Sequence, residues 1–329
     1  MTQKPLISVI IPVFNGAQTI ESCLHSVFQS DCSNFEVIVV DDGSTDDTLT
    51  RILDFNCKIV SLRKNRGPAK ARNQGAEDAK SDILFFLDAD ITIERNTLTS
   101  IILTFQERKE TSALFCSYQK NTPVENFISK HKNILHHYTH QISREEAVTF
   151  CGGFGAIRRK VFFSLGGFNP NIKTLEDIEL GYRLHQAGHN ILLNKDIQLT
   201  HHKQYSIKDL IQSDVLGRAI PWTKLMLKKR IFRNDLNTRL ENILSVPVSY
   251  LILAPCFISF FWAKGLFFLS SLILLFFILN SRFLAFVFLE KNGWFTIRSA
   301  GLLWLGYLYS GIGFLLGIFS FLLKGKSKN

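Results

Sequence analysis

The chain has 329 residues, 46% of them hydrophobic, and a formal net charge of +10. That length holds one α/β catalytic domain and an appendage. Six cysteines (23, 32, 57, 116, 151 and 256) show no CxxC spacing and no nearby histidine partners, so they read as small hydrophobes in a reducing compartment rather than disulfides or zinc ligands.

In chain order, a short apolar run at residues 6–13 follows the start and is broken by Pro12. It is too short for a signal peptide, so the front of the chain is expected in the cytoplasm. Residues 6–11 predict a buried parallel strand. Ile20, Cys23, Leu24, Val27 and Phe28 follow at the spacing of one helix face. Residues 36–40 predict a second strand, Leu49, Ile52 and Leu53 a short helix, and residues 58–62 a third strand. Gly67-Pro68 opens a helix with proline in its first turn. Residues 83–87 predict a fourth strand, Leu98 to Phe105 a helix, and residues 113–118 a further strand. Strands alternating with helices predict a mostly parallel sheet covered on both faces.

The polar clusters fall at the ends of these strands. Asp41-Asp42-Gly43 ends the second and Asp88-Ala89-Asp90 the fourth, where open α/β sheets bind ligands. No GxGxxG follows the first strand and no GxxxxGK[ST] is present, which argues against dinucleotide oxidoreductases and P-loop NTPases. Two aspartates flanking one residue, just past a strand, can turn both carboxylates to one hard cation, with phosphate oxygens completing its shell. Residues 121–146 are polar and carry His131, His136, His137 and His140, which predicts a solvated helix near an acceptor cleft.

Charge thins abruptly after residue 241. Uncharged runs cover residues 242–263, 265–281 and 299–323, each near the ~20 residues that cross a bilayer. Residues 242–263 and 299–323 are expected to span, 265–280 could return through the bilayer, and 283–289 could lie along its surface. Six basic residues between Lys224 and Leu240 stand against Asp235 alone, as expected beside anionic headgroups on the cytoplasmic face rather than on nucleic acid.

Several ordered segments resemble the family-two glycosyltransferases of the GT-A fold. They are SVIIPVFN (8–15), VVDDGSTD (39–46), residues 65–75, FLDAD (86–90), GGFGAIRR (152–159), GGF (166–168) and LEDIEL (175–180). The resemblance implies a GT-A catalytic domain over residues 1–205, then a basic juxtamembrane region (206–241), a membrane anchor of two or three helices (242–323) and a basic tail (324–329). It implies that Pro12 and Asn15 line a nucleotide pocket, that Asp42 meets the base, and that Lys70 or Arg72 faces the base or phosphates. Asp88 would hold ribose or metal, and Asp90 would be the principal ligand of Mg2+ or Mn2+. His201 or His202 would be a third ligand, with His202 the one nominated. Asp177 matches the family's general base, with Glu176, Gly152 and Gly153 beside the acceptor.

Processive members carry Q-x-x-R-W; here Arg218-Ala219-Ile220-Pro221-Trp222 stands instead, with Gln212 out of register. That departure argues against a polymerase, while leaving Arg218 and Trp222 as acceptor-side candidates. The expected activity is inverting, metal-dependent transfer from a nucleotide-sugar donor to a hydroxyl of a lipid or lipid-linked acceptor. It is placed at the cytoplasmic membrane, in cell-envelope glycan or glycolipid synthesis. The competing readings are a polyisoprenyl-phosphate glycosyltransferase, whose acceptor needs no base, and a catalytically silent membrane scaffold.

Overall fold

The computed structural model describes residues 4–231, 236–258 and 264–326. They divide into two compact units: residues 1–125 with 144–204, and residues 126–143 with 205–329.

The first unit is built on a mixed α/β sheet. Its strands are β1 (Ile7–Val13), β2 (Phe35–Asp41), β3 (Lys58–Ser61), β4 (Ile83–Leu87), β5 (Ile91–Thr92), β6 (Thr111–Tyr118), β7 (Glu146–Ala147), β8 (Phe154–Arg158) and β9 (Asn190–His201). Helices α1 (Ile20–Phe28), α2 (Thr48–Ile52), α3 (Pro68–Asp78), α4 (Thr97–Glu107), α6 (Arg159–Ser164) and α7 (Glu176–Gln186) belong to the same unit, and α5 (Phe127–Ile142) to the other. Strand order is β3-β2-β1-β4-β8-β6-β9-β5, with β7 on β9. The block β3-β2-β1-β4 is parallel, as the alternating pattern predicts. β1 and β4 are apolar along nearly their whole length because both of their faces are covered, and Val9, Ile10, Leu84, Phe85 and Phe86 are fully buried.

β5, β7 and β8 were not expected from the sequence pattern. β8, behind the glycine-rich segment, inserts antiparallel between β4 and β6. Its register pairs Leu87 with Phe154, so the residues that enter β8 lie beside the residues that leave β4. That exchange brings Gly152 and Gly153 to Asp88.

The second unit is helical: α5, α8 (Ile207–Gln212), a π-helical turn (Ser213–Ala219), α9 (Ile220–Lys229), α10 (Leu240–Ile258), α11 (Lys264–Glu290) and α12 (Gly293–Lys326). α5 is not the solvated helix expected from its histidines. Its face of His131, Lys132, Asn133, Ile134 and His137 is buried. Ile134 joins a core with Val248, Phe276, Phe283, Val287 and Leu303, and the His137 ring stacks on Phe286. A helix whose polar residues carry aromatic partners can bury them; the sequence shows the polarity but not the partners.

Among the described residues two helices are long and apolar enough to cross a membrane, over Gly265–Glu290 and Gly293–Leu323, with mean hydropathy 2.4 and 1.8. Residues 265–280 and 283–289, expected as separate segments, are one continuous helix through Arg282. A helix already hydrogen-bonded along its backbone gains nothing by breaking at one long basic side chain. The run at 242–263 is represented by α10, whose apolar stretch is the shorter Leu240–Leu253, and residues 259–263 lie outside the described residues. Of the expected basic tail, Lys324 and Lys326 fall in the last turn of α12, and residues 327–329 lie outside the described residues.

Candidate active site

The carboxyl ends of β2, β1 and β4 lie side by side, and their loops are tied to one another. After β1, the Asn15 Oδ1 accepts from the Thr45 N–H at 2.8 Å, and the Asn15 N–H donates to Ser44 Oγ at 2.9 Å. Asn15 itself has φ near 52°, a left-handed conformation that asparagine tolerates better than most residues. Asp41 accepts from the Ser44 N–H. The Ser-Thr pair of the DDGST segment thus holds the first two loops together.

Asp42 is buried, and its two oxygens each accept a backbone N–H, from Arg66 and from Gly67, both at 2.7 Å. Burial pushes its carboxyl above the ordinary value, against the opposing pull of those two bonds. The residue therefore fastens the end of β2 to the loop that starts α3. Pro12 lies in β1 opposite Val40, and Lys70 is exposed on α3.

Arg72, one helical turn from Pro68, points inward. Its side chain is 6% exposed; one Nη donates to Asp88 Oδ1 at 2.7 Å and the other to Glu176 Oε1 at 2.6 Å. Its guanidinium also lies over the Phe168 ring, 5.6 Å from the centroid. Glu176 is equally buried, which raises its carboxyl pKa; neighbouring Asp177 adds to the rise and Arg72 opposes it.

Asp88 sits against the glycine pair. Its N–H donates to the Gly153 carbonyl at 2.8 Å. A Cβ on Gly153 would lie 2.4 Å from Asp88 Oδ2, and one on Gly152 would press on Asp177 and Arg72 at 3.1–3.3 Å. Glycine is required here because three side chains converge on this stretch of backbone.

Glu176 and Asp177 open α7, where the unsatisfied N–H groups of the first turn favour carboxylates. Asp177 is half-buried; one oxygen accepts the Gly152 N–H at 3.0 Å and the other the Ile178 N–H at 2.8 Å. Arg183, the cation on the same helix, pairs with Glu179 and with the carbonyls of Leu165 and Gly167. Among the described residues no side chain hydrogen-bonds the Asp177 carboxylate.

Asp90 is reached from β9. The two-residue strand β5 pairs Ile91 with His201, which sets the His201 Nε2 3.4 Å from Asp90 Oδ2. Burial raises the Asp90 carboxyl, but the His201 hydrogen bond and the charges of His201 and Lys203 outweigh it and hold the pKa below the ordinary value. His202, nominated from sequence, instead meets Thr92 Oγ1 through its Nε2 at 2.9 Å, while its N–H donates to the Asp90 carbonyl. Tyr118 stacks on His201, a contact no sequence signal announced.

Arg218 and Trp222 belong to the second unit: Arg218 lies on the π-helical turn and bonds His136 at 3.1 Å, and Trp222 is half-buried in α9. The structure thus gathers Arg72, Asp88, Gly152, Gly153, Glu176 and Asp177 through direct contacts, with Asp90 and the histidine pair just beyond Asp88.

A carboxylate-rich strand edge and an acid-opened helix thus meet across a glycine pair. Residues 8–166 match the family described as Glycosyl transferase family 2. The chain carries a family 2 glycosyltransferase domain. Among its relatives, the uncharacterized glycosyltransferase YfnE of Bacillus subtilis is 28% identical over 255 residues, covering 60% of this enzyme and 65% of YfnE. The putative teichuronic acid biosynthesis glycosyltransferase TuaG of the same species is 35% identical over 134 residues, covering 38% and 53%. The glycosyltransferase therefore spans between about half and two thirds of the length of these curated relatives. The mannosyltransferase PcManGT from Pyrobaculum calidifontis, solved with GDP-Man and Mn2+, superposes with a TM-score of 0.60 over 95% of this chain and 88% of its own. At 18% identity that likeness shows the fold.

Proposed function

We propose that this glycosyltransferase moves a sugar, with inversion, from a nucleotide-sugar donor to a hydroxyl of a lipid or lipid-linked acceptor at a membrane surface. The observation that carries the reading is Asp177. Its carboxylate is held by two backbone N–H groups, keeps lone pairs to spare, and among the described residues has no cation bonded to it. A hydroxyl attacks well only as its proton leaves, and a positioned carboxylate takes that proton in the transition state. In this reading Asp177 takes it, and the bond from the Gly152 N–H supports the orientation it needs. One displacement at the sugar carbon needs no second carboxylate nucleophile.

The donor set fits a hard divalent cation. Asp88, Asp90, Glu176 and Asp177 outnumber the cations among them, and the ligands available are carboxylate oxygens with one imidazole at the edge. Among the described residues no three His, Cys, Asp or Glu side chains form a ready cage. This suits Mg2+ or Mn2+, which take one or two protein carboxylates and complete their shell with phosphate and water. Asp90 and Asp88 would hold the ion, with the His201 imidazole rather than that of His202 beside the Asp90 carboxylate; when bound, it would supply charge neutralisation for the departing diphosphate. The structure of PcManGT with GDP-Man and Mn2+ supports this reading by fold alone. Asn15 and Asp42 would frame the nucleotide at the β1 and β2 ends, with Lys70 exposed beside them.

Membrane residence is supported by an inverted burial pattern in the second unit. Ser245, Ser249 and Ser299 are fully buried and Asn280 nearly so, whereas Phe267, Leu289, Ile297 and Leu315 are 64–82% exposed. Helices that put serine inside and leucine outside are at rest in hydrocarbon rather than in water. A lipid-linked acceptor follows from that location, and TuaG, assigned to teichuronic acid biosynthesis, is a relative consistent with an envelope glycan. The purified full chain should be screened against UDP- and GDP-sugars with Mn2+, and the products in membrane lipid extract identified by mass spectrometry. A new glycosylated lipid is the expected product. Sugar transfer only to soluble acceptors would refute the lipid assignment.

A further inference from the structure

Four buried or half-buried side chains of the site and a glycine pair form a closed ring of contacts. Asp88 bonds Arg72, Arg72 bonds Glu176, Glu176 adjoins Asp177, Asp177 bonds the Gly152 N–H, and the next residue, Gly153, bonds Asp88 through its carbonyl. Within this ring Arg72 is buried and turned towards the two carboxylates. Each terminal nitrogen gives an N–H to one of them, its Nε is buried without a hydrogen-bond partner, and Phe168 and Gly152 close two sides. An unsatisfied buried N–H costs free energy, so the fold retains it for what the rest of the guanidinium does. A planar fork that bonds two separate carboxylates sets the distance between them; the point charge of lysine does not.

We propose that Arg72 is a positioning residue that fixes the spacing between the donor end of the site, at Asp88, and the base, Asp177, by way of Glu176. This rests on the reading of Asp88 and Asp177 given above, and it gives Arg72 a role that needs no contact with base or phosphate. Glu176 becomes the second half of the same device instead of a contact to the acceptor. Its burial and its bond to Arg72 hold the first turn of α7 against α3, so the Asp177 carboxylate faces whatever Asp88 helps to hold. Reacting groups misplaced by about 1 Å can lose on the order of a hundredfold in rate without loss of binding.

The test uses full-length Arg72→Lys, Glu176→Gln and the double variant in detergent, with Asp177→Asn as reference. Turnover is read as nucleoside diphosphate released from UDP- and GDP-sugars in the presence of membrane lipid extract. Nucleotide affinity is read by titrating UDP and GDP with Mn2+. Arg72→Lys is expected to lower kcat by about tenfold to a hundredfold while donor KM and nucleotide Kd move less than about threefold. Glu176→Gln, which keeps size and hydrogen-bonding capacity, is expected to give the same split should the lysine variant fold poorly. The double variant is expected to lose no more than the worse single one, because both break one bridge. Arg72→Lys with unchanged kcat, a nucleotide Kd weakened tenfold at normal kcat, or strictly multiplicative losses in the double variant would each overturn the proposal. Full turnover of Asp177→Asn would instead overturn the underlying base assignment.

Discussion

Each unit of the molecule buries an ionic cluster, and the two are built in opposite ways. In the helical unit, Lys132 Nζ meets both oxygens of Asp214 at 2.7 and 2.8 Å, and the Tyr309 hydroxyl donates to the same carboxylate at 2.8 Å. The pair is bidentate, the charge of Arg218 adds to that of Lys132 so that no negative charge is left over, and both side chains of the pair are about nine-tenths buried. In the sheet unit a single guanidinium, Arg72, faces Asp88 and Glu176 directly and Asp177 electrostatically. Negative charge is in excess there, and one edge stays open: Asp88 is 40% exposed although its partner Arg72 is buried. A balanced buried pair with a third hydrogen bond is a packing device. An unbalanced cluster with an open side suits a cation or a cationic transition state, and perturbed groups of that kind gather where chemistry occurs. Composition alone does not separate the two; stoichiometry and exposure do.

Exchanging the damage between the two clusters sharpens this contrast. Asp90→Ala, at the unbalanced cluster, should cost at least about a hundredfold in turnover and most of the Mn2+-dependent nucleotide affinity. Its thermal midpoint should stay near that of the parent, because removing one of several like charges relieves repulsion as well as losing the His201 contact. Excess chelator should reproduce the loss, and full activity in chelator would break the metal assignment.

Lys132→Met, at the balanced cluster, should do the reverse. It strands a buried carboxylate at about 3–5 kcal/mol, a fall on the order of 10 °C in thermal midpoint in detergent, with UDP and GDP affinity unchanged. A midpoint within a degree of the parent would show that the pair is not the packing device described.

The smallest effect concerns pH. Burial, with Lys132 adding and Asp214 opposing, pushes the His131 imidazole down to about 3, and burial takes His140 to about 4. Both folded values lie below the ordinary imidazole value of 6.5, so the fold holds the neutral rings. Their contribution is complete above that value and drains away as pH falls from about 6.5 towards 3. His131→Leu should therefore flatten the acid limb of thermal stability in this window. An unchanged slope would mean that α5 opens to solvent before its histidines charge.

Much of the catalytic unit was legible in the sequence, because its parallel strands are continuous apolar runs whose ends carry the polar residues. Residues 83–87 announced β4, and Asp88 and Asp90 followed at its end. β8 was not legible: it begins in a glycine-rich stretch with no alternation, and its antiparallel insertion is decided by long-range pairing with β4 and β6. β5 is two residues long, below any periodic signal, yet its pairing decides that His201 rather than His202 faces Asp90. The burial of Arg72 was hidden for a different reason. An arginine on a polar helix reads as solvated until its two carboxylates, 16 and 104 residues further along the chain, come into place. α5 was misread because its aromatic partners lie in α11, far along the chain.

The central claim is that Asp177 takes a proton from a hydroxyl acceptor at a site whose donor is held elsewhere. It is tested most directly by Asp177→Asn, assayed for turnover and for UDP and GDP affinity with Mn2+ on one preparation. The amide keeps the shape and can still accept the Gly152 N–H, but it cannot take a proton. Turnover is predicted to fall about 10²–10⁴-fold, with nucleotide affinity within about threefold of the parent. Near-normal turnover would contradict the account and point to an acceptor that is already anionic, such as a lipid phosphate.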